Sequence, residues 1–111
     1  MKVVTLCQNK DFKTLYYRGR SQVSPVLVTY ARKNRLGHVR IGITTGTKIG
    51  GAVVRSRCRR IIREAFYHLD PPAEGGWDLV FVARSRTASK KSTELGEVMQ
   101  KQLAALGVIK P

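Results

Sequence analysis

The spacing of apolar residues changes period several times along this chain, and each change marks an element. Phe12, Leu15 and Tyr16 stand at i, i+3 and i+4, which predicts a short helix over residues 10–18. Asn9 is placed to cap it and Gly19 to end it. Over residues 26–31 the period falls to two, with Val26, Val28 and Tyr30 on one side and Leu27, Thr29 and Ala31 on the other. A polar turn, RKNRLG, leads to a second strand over 38–45, where Val39, Ile41 and Ile43 oppose Arg40, Gly42 and Thr44. A turn this short predicts that the two strands pair as an antiparallel hairpin. The longest helix follows over 52–69, with Val54, Cys58, Ile61, Ile62, Ala65, Phe66 and Leu69 on one stripe, and Asp70-Pro71-Pro72 stops it. A third strand over 77–84 carries an apolar run, Leu79 to Ala83, that implies cover on both faces. The last helix, 93–106, turns Leu95, Val98, Met99, Leu103 and Leu106 inward and closes at Gly107.

The order α-β-β-α-β-α predicts an α+β fold, a small two-layer sandwich. At 111 residues the chain reads as a single domain, 1–111, able to bury one modest core without disulfides. Cys7 and Cys58 belong to no CxxC pair, and MKVVTL has neither the apolar stretch nor the cleavage site of a secretory signal. These features point to a reducing, cytoplasmic setting, and no apolar run is long enough to span a bilayer.

Charge decides the class of partner. The chain has 21 Lys and Arg against 7 Asp and Glu, a formal net charge of +14. Between Phe12 and Arg63 there are thirteen basic residues and no acidic one. A surface shaped for solubility mixes both signs, whereas a one-sign field of this length calls for a polyanion. On the long helix Ser56, Arg59, Arg60 and Arg63 form one patch opposite the apolar stripe, flanked by Arg55 and Arg57. Arginine's planar fork suits phosphate better than lysine does, and bound phosphate would relieve the repulsion between like charges at i and i+4. The apolar face of this helix is committed to the core, which excludes a membrane-surface role. Lys48-Ile49-Gly50-Gly51 sets backbone amides at the helix start, where an anion could approach, but it is not a Walker A loop. Phe12, Tyr16 and Tyr30 suit either stacking on single-stranded bases or a small core; position alone leaves both readings open.

No side chains assemble a protein active site. His38 and His68 are isolated, the seven carboxylates form no close pair in sequence, and no metal-ligand spacing occurs. A protein-only nuclease is therefore disfavoured. A ribosomal-protein-like or chaperone RNA binder remains the alternative to an RNA-processing subunit.

The stretch RIGITTGTKIGGAVVRSRCRRIIREAF, Arg40 to Phe66, resembles the signature of the bacterial ribonuclease P protein family, including its arginine-rich motif. KDFKTLYYRGRS, VLVTYAR and DLVFVARSRTA resemble the family's first helix, first strand, and third strand with its basic turn. The resemblance implies a ribosomal protein S5 domain 2-like fold with a left-handed βαβ crossover. It implies a protein that assists a catalytic RNA in cutting the 5′ leader from precursor tRNA, with Mg²⁺ held mainly by the RNA. No organic cofactor and no obligatory protein partner are expected. Lys48, Arg55, Ser56, Arg57, Arg59, Arg60 and Arg63 would face the RNA subunit. Phe12, Tyr16, Tyr30, Arg40 and Thr44 would line a cleft for the single-stranded leader. No residue is expected to be catalytic or to bind metal. Gly51 and Ser56 stand where the family usually has asparagine, and Thr47 replaces a common lysine. Each change removes a polar or charged group that the family pattern would provide.

Overall fold

The structure, a computed structural model, describes residues 3–6 and 8–110; Cys7 lies outside them. Its elements are β1 (Val3–Thr5), α1 (Asn9–Arg18), β2 (Arg20–Val23), β3 (Leu27–Lys33), β4 (Val39–Thr44), α2 (Ala52–Tyr67), β5 (Trp77–Ala83) and α3 (Ser92–Ala105). Short 3₁₀ turns at Thr47–Ile49 and Thr87–Ser89 precede α2 and α3. All six expected elements are present, each within two residues of its expected ends, and the α+β class holds. The expected cap differs: Asn9 is the first residue of α1, Gln8 occupies the cap position, and no side chain caps the helix.

The five strands form one sheet in the order β1-β4-β5-β3-β2. The expected hairpin between β3 and β4 does not occur, because β5 lies between them, antiparallel to β3 and parallel to β4. Burial explains the insertion. Leu79, Val80 and Phe81 of β5 are wholly buried, and only a central strand is covered on both sides. The turn between β3 and β4 therefore spans two strand spacings, about 10 Å, rather than one. It crosses the start of β5 at close range: the Asn34 amide donates to the Gly76 carbonyl at 2.9 Å. A Cβ on Gly76 would lie 2.7 Å from the Asn34 carbonyl oxygen, so the crossing requires glycine.

The main core lies on one face of the sheet. Leu27, Ala31, Val39, Ile41, Leu79 and Phe81 pack there against Cys58, Ile61, Ile62, Ala65 and Phe66 of α2 and Leu95, Met99 and Leu103 of α3. Within this core Gln102 is buried with its amide satisfied. It accepts from Thr29 Oγ1 at 2.6 Å and donates to the Leu27 carbonyl at 2.9 Å. Val26, expected beside Val28 and Tyr30, instead precedes β3 and joins this main core. Helix α1 covers the opposite face through a smaller cluster of Leu6, Leu15 and Val80, with Phe12, Tyr30 and Val82 at its margin. Helices thus lie on both sides of the sheet, a third layer that the two-layer expectation did not contain. No helix among the described residues is long and apolar enough to cross a membrane.

Candidate RNA-binding surfaces

The buried stripe of α2 forces its other face outward. Cys58, Ile61, Ile62, Ala65 and Phe66 are buried, while Ser56, Arg57, Arg60 and Arg63 are exposed and Arg55 and Arg59 half-buried. Among the described residues no carboxylate forms an ion pair with any of these arginines; both ion pairs found belong to Arg40. Glu64 does not neutralise Arg60. The like-charged pairs along the helix, each unfavourable by about 0.2–0.5 kcal/mol, therefore have no compensating ion pair among the described residues. Two arginines are nevertheless held in place. Arg59 donates to Thr45 Oγ1 at 2.9 Å and to Ser56 Oγ at 3.0 Å, so Ser56 serves as an acceptor that orients its neighbour. Arg57 Nε donates to the Ala88 carbonyl at 2.9 Å, which ties the basic turn after β5, bearing Arg84 and Arg86, to the helix.

At the start of α2, Lys48 is exposed on its 3₁₀ turn, and Gly50 takes φ +146°, a conformation that favours glycine. Gly51 caps the helix with no side-chain bond to its first amides, and the first turn contains no acidic residue. That end of α2 keeps its positive dipole for an external anion. Beneath the arginines, burial pushes the Cys58 thiol up, against the opposing charges of Arg57 and Arg59. The thiol behaves as a small core hydrophobe.

On the other face of the sheet, a groove between α1 and β4 is lined by Phe12, Lys13, Tyr16, Ile43, Thr44 and Thr45. The Tyr16 hydroxyl and Thr44 Oγ1 are hydrogen-bonded at 2.8 Å. Tyr16 meets Tyr30 edge to face with ring centroids 5.0 Å apart, and Tyr16 is 41% exposed. Phe12 lies over Gly42, where a Cβ would come within 2.6 Å of its ring. Four of the five residues expected in the cleft are thus gathered in one place. Tyr30 reaches it two strands away from β4, in register with Val80 and through it with Gly42.

Arg40, the fifth, shares this sheet face but is engaged inside the protein. Its Nε and Nη2 donate to the two carboxylate oxygens of Asp78 at 2.8 and 2.6 Å, and Asp11 of α1 stands 3.8 Å away. Asn34 donates to the same Asp78 carboxylate at 2.8 Å. Burial alone would raise the Asp78 pKa. The bonds from Arg40 and Asn34 and the charges of Arg40 and Arg32 outweigh it and hold the carboxyl below its ordinary value. The Asp78 contact was not legible in the sequence, because it depends on β4 and β5 being parallel neighbours, which brings Arg40 into register with Asp78.

Comparison with known proteins settles the family. The family model described as Ribonuclease P matches residues 1–107. The chain belongs to the ribonuclease P protein family. A Clostridium botulinum ribonuclease P protein component is 34% identical over 109 residues, covering 97% of this chain and 98% of the relative. The solved ribonuclease P protein of Staphylococcus aureus superposes with a TM-score of 0.82 at 27% identity, over 96% of this chain and 98% of that one. The Thermotoga maritima ribonuclease P protein gives 0.77 at 25% identity, over 96% and 98%.

As a ribonuclease P protein the chain has a role in tRNA processing. The Mg²⁺ implied by its resemblance finds no fitting donor set here. Among the described residues no three His, Cys, Asp or Glu side chains converge, and Asp11 and Asp78 both face Arg40. In this ribonuclease P protein the arginine surface and the aromatic groove lie on opposite faces of the sheet. They meet at Thr45, which lines the groove and accepts from Arg59.

Proposed function

We propose that this chain is an RNA-binding subunit acting in the cytoplasm, and that it grips two RNAs with two surfaces. The outer face of α2, Arg55, Ser56, Arg57, Arg59, Arg60 and Arg63 with Lys48 before it, binds the catalytic RNA. The groove of Phe12, Tyr16, Tyr30 and Thr44 receives the single-stranded 5′ leader of precursor tRNA, with Arg40 fixing its floor. The observation that carries this reading is a row of arginines with no carboxylate partner among the described residues, held on one side of a sheet whose other side presents an aromatic groove. Arginine neutralises and forks onto phosphate, whereas exposed aromatic edges stack on bases at about 1–3 kcal/mol each.

Cleavage of the leader is assigned to the RNA, together with the Mg²⁺, for which no cluster of three His, Cys, Asp or Glu is present among the described residues. The protein contributes positioning. Bound between RNA and substrate, its cations replace part of the ion atmosphere that would otherwise be needed to bring two polyanions together.

A crossed pair of variants tests the assignment. Arg60→Ala should weaken binding to the RNA subunit and reduce the log–log salt slope by about one, the loss of one phosphate contact. Tyr30→Ala should leave that binding intact but weaken the assembled enzyme's hold on precursor tRNA relative to mature tRNA. Equal effects of both variants on both ligands would contradict the two-surface reading.

A further inference from the structure

A second basic surface lies at the far end of the sheet. There Arg18, Arg20, Arg32 and Lys33 surround a pocket of about 270 Å³ floored by Ala31, Trp77 and Leu106. Strand register places it. Lys33 pairs with Trp77 and Arg32 with Asp78 at the start of β5, whereas α2 is anchored to the sheet's other end through Arg59 and Thr45. Six residue steps along β5 separate the two ends, about 20 Å at the usual strand rise. These four cations therefore cannot be part of the patch on α2, nor do they line the groove under α1.

The fold uses only part of this charge, through the field of Arg32 at Asp78 and the seat of Lys33 over Trp77. Arg18 in the last turn of α1 is favoured by the helix dipole, but Arg20, Arg32 and Lys33 lie on strands with no such benefit. Arg20 pairs with Ala31, so Arg20 and Lys33 are diagonal neighbours on the same sheet face, an unfavourable arrangement for like charges. Arg18, Arg20 and Lys33 form no ion pair among the described residues, and the one carboxylate close by, Asp78, is already held by Arg40 and Asn34. Lys33 Nζ instead sits 5.6 Å from the centre of the half-buried Trp77 ring, which keeps the ammonium at the mouth of the pocket.

We infer that this end of the sheet is a third RNA contact, one that takes the phosphodiester backbone through Arg18, Arg20 and Lys33, while Arg32 turns to the opposite sheet face beside Asp78. It rests on reading the chain as an RNA-binding subunit. Mutually repelling cations around a concave floor gain when a phosphate enters, and backbone contact of this kind is independent of sequence. Two RNAs can supply that backbone, the RNA subunit and precursor tRNA, and the experiment separates them.

The test is Arg20→Gln/Lys33→Gln in the full chain, which removes two exposed charges while keeping side-chain bulk. Lys101→Gln/Lys110→Gln, two exposed cations outside the pocket, controls for net charge, and Arg60→Gln controls for the α2 surface. Affinity is measured as a function of salt against a ribonuclease P RNA transcript and, separately, against a precursor tRNA. Circular dichroism with a thermal melt checks folding, and the pocket variant should melt no lower than the native chain. The expected result is a log–log slope smaller by about two with one of the two RNAs, so that the affinity deficit is largest at low salt and fades as salt rises. The RNA that shows it is the occupant. If Arg60→Gln flattens the slope but the pocket variant matches the Lys101/Lys110 control with both RNAs, the third contact is overturned while the α2 surface stands. If none of the variants differs from native, the RNA-binding reading of the chain falls with it.

Discussion

One added methyl group at Gly42 should separate the groove from the rest of the molecule. In Gly42→Ala the new Cβ would lie 2.6 Å from two ring carbons of Phe12 and 3.3 Å from Leu6 Cβ. Carbon atoms pack at about 3.5–4.0 Å, so the ring must retreat by about 1 Å or swing out of its rotamer. Phe12 is half-buried at the margin of the smaller cluster, and its ring is the free end of the side chain, so it has somewhere to go. The stability loss should accordingly fall at the lower end of the overpacking range of about 1–3 kcal/mol. If Phe12 stacks on a leader base, a displaced ring forfeits part of about 1–3 kcal/mol. Because about 1.4 kcal/mol is tenfold in affinity, the assembled enzyme should bind precursor tRNA about tenfold more weakly. Binding of mature tRNA, and assembly with the RNA subunit, should be unchanged. Fluorescence anisotropy with both tRNAs measures the affinities, and thermal denaturation measures the stability. A second substitution, Gly42→Ala/Phe12→Leu, should restore stability by relieving the crowding without restoring affinity. A destabilised Gly42→Ala protein that binds precursor tRNA at full strength would show that Phe12 is core alone and touches no leader.

Two further outcomes follow from polar groups that the fold holds under cover. Asp78→Asn should destabilise the protein by about 1–3 kcal/mol near neutral pH, because Arg40 loses its bidentate acceptor in a partly buried site. The folded-state pKa of Asp78 is lowered, so its contribution is fully present above the ordinary carboxylate value and disappears as pH falls through the folded value. Urea denaturation of both proteins should therefore converge in strong acid, and a gap that persisted there would refute the ion-pair account. Gln102→Leu should cost about 1–3 kcal/mol, since the Thr29 hydroxyl would lose its buried acceptor while the Leu27 carbonyl keeps its bonds from Ser24, yet it should leave the salt slope of RNA binding unchanged.

What could be read from the sequence was whatever depends on local period. The stripe Cys58, Ile61, Ile62, Ala65 and Phe66 fixes which face of α2 is buried, although Val54, expected on it, is only half-buried and Arg55 and Arg59 are not fully presented. The double-sided burial of β5 was legible in its unbroken apolar run. Pairing was not. Nothing in RKNRLG distinguishes a turn that joins neighbours from one that arches over an intervening strand, and the Gly76 close approach becomes meaningful only once that strand is in place. The edge strands escaped notice for a related reason. Val3–Thr5 has three residues, and RSQV of β2 is largely exposed, so their strand state comes from their neighbours' hydrogen bonds and not from their own pattern. Gln102 sits on the inward side of α3 among leucines, and its partners Thr29 and the Leu27 and Gln22 carbonyls across the sheet reveal why an amide belongs there.

The central claim, that this protein positions RNA while RNA performs the cleavage, is tested most directly by following leader removal across a Mg²⁺ titration. Protein alone, RNA subunit alone, and the two together are compared on the same precursor tRNA. The account predicts no cleavage by protein alone, cleavage by RNA alone only at elevated Mg²⁺, and cleavage at lower Mg²⁺ when both are present. Metal-dependent cleavage at the correct site by RNA-free protein, retained after nuclease treatment of the preparation, would contradict it.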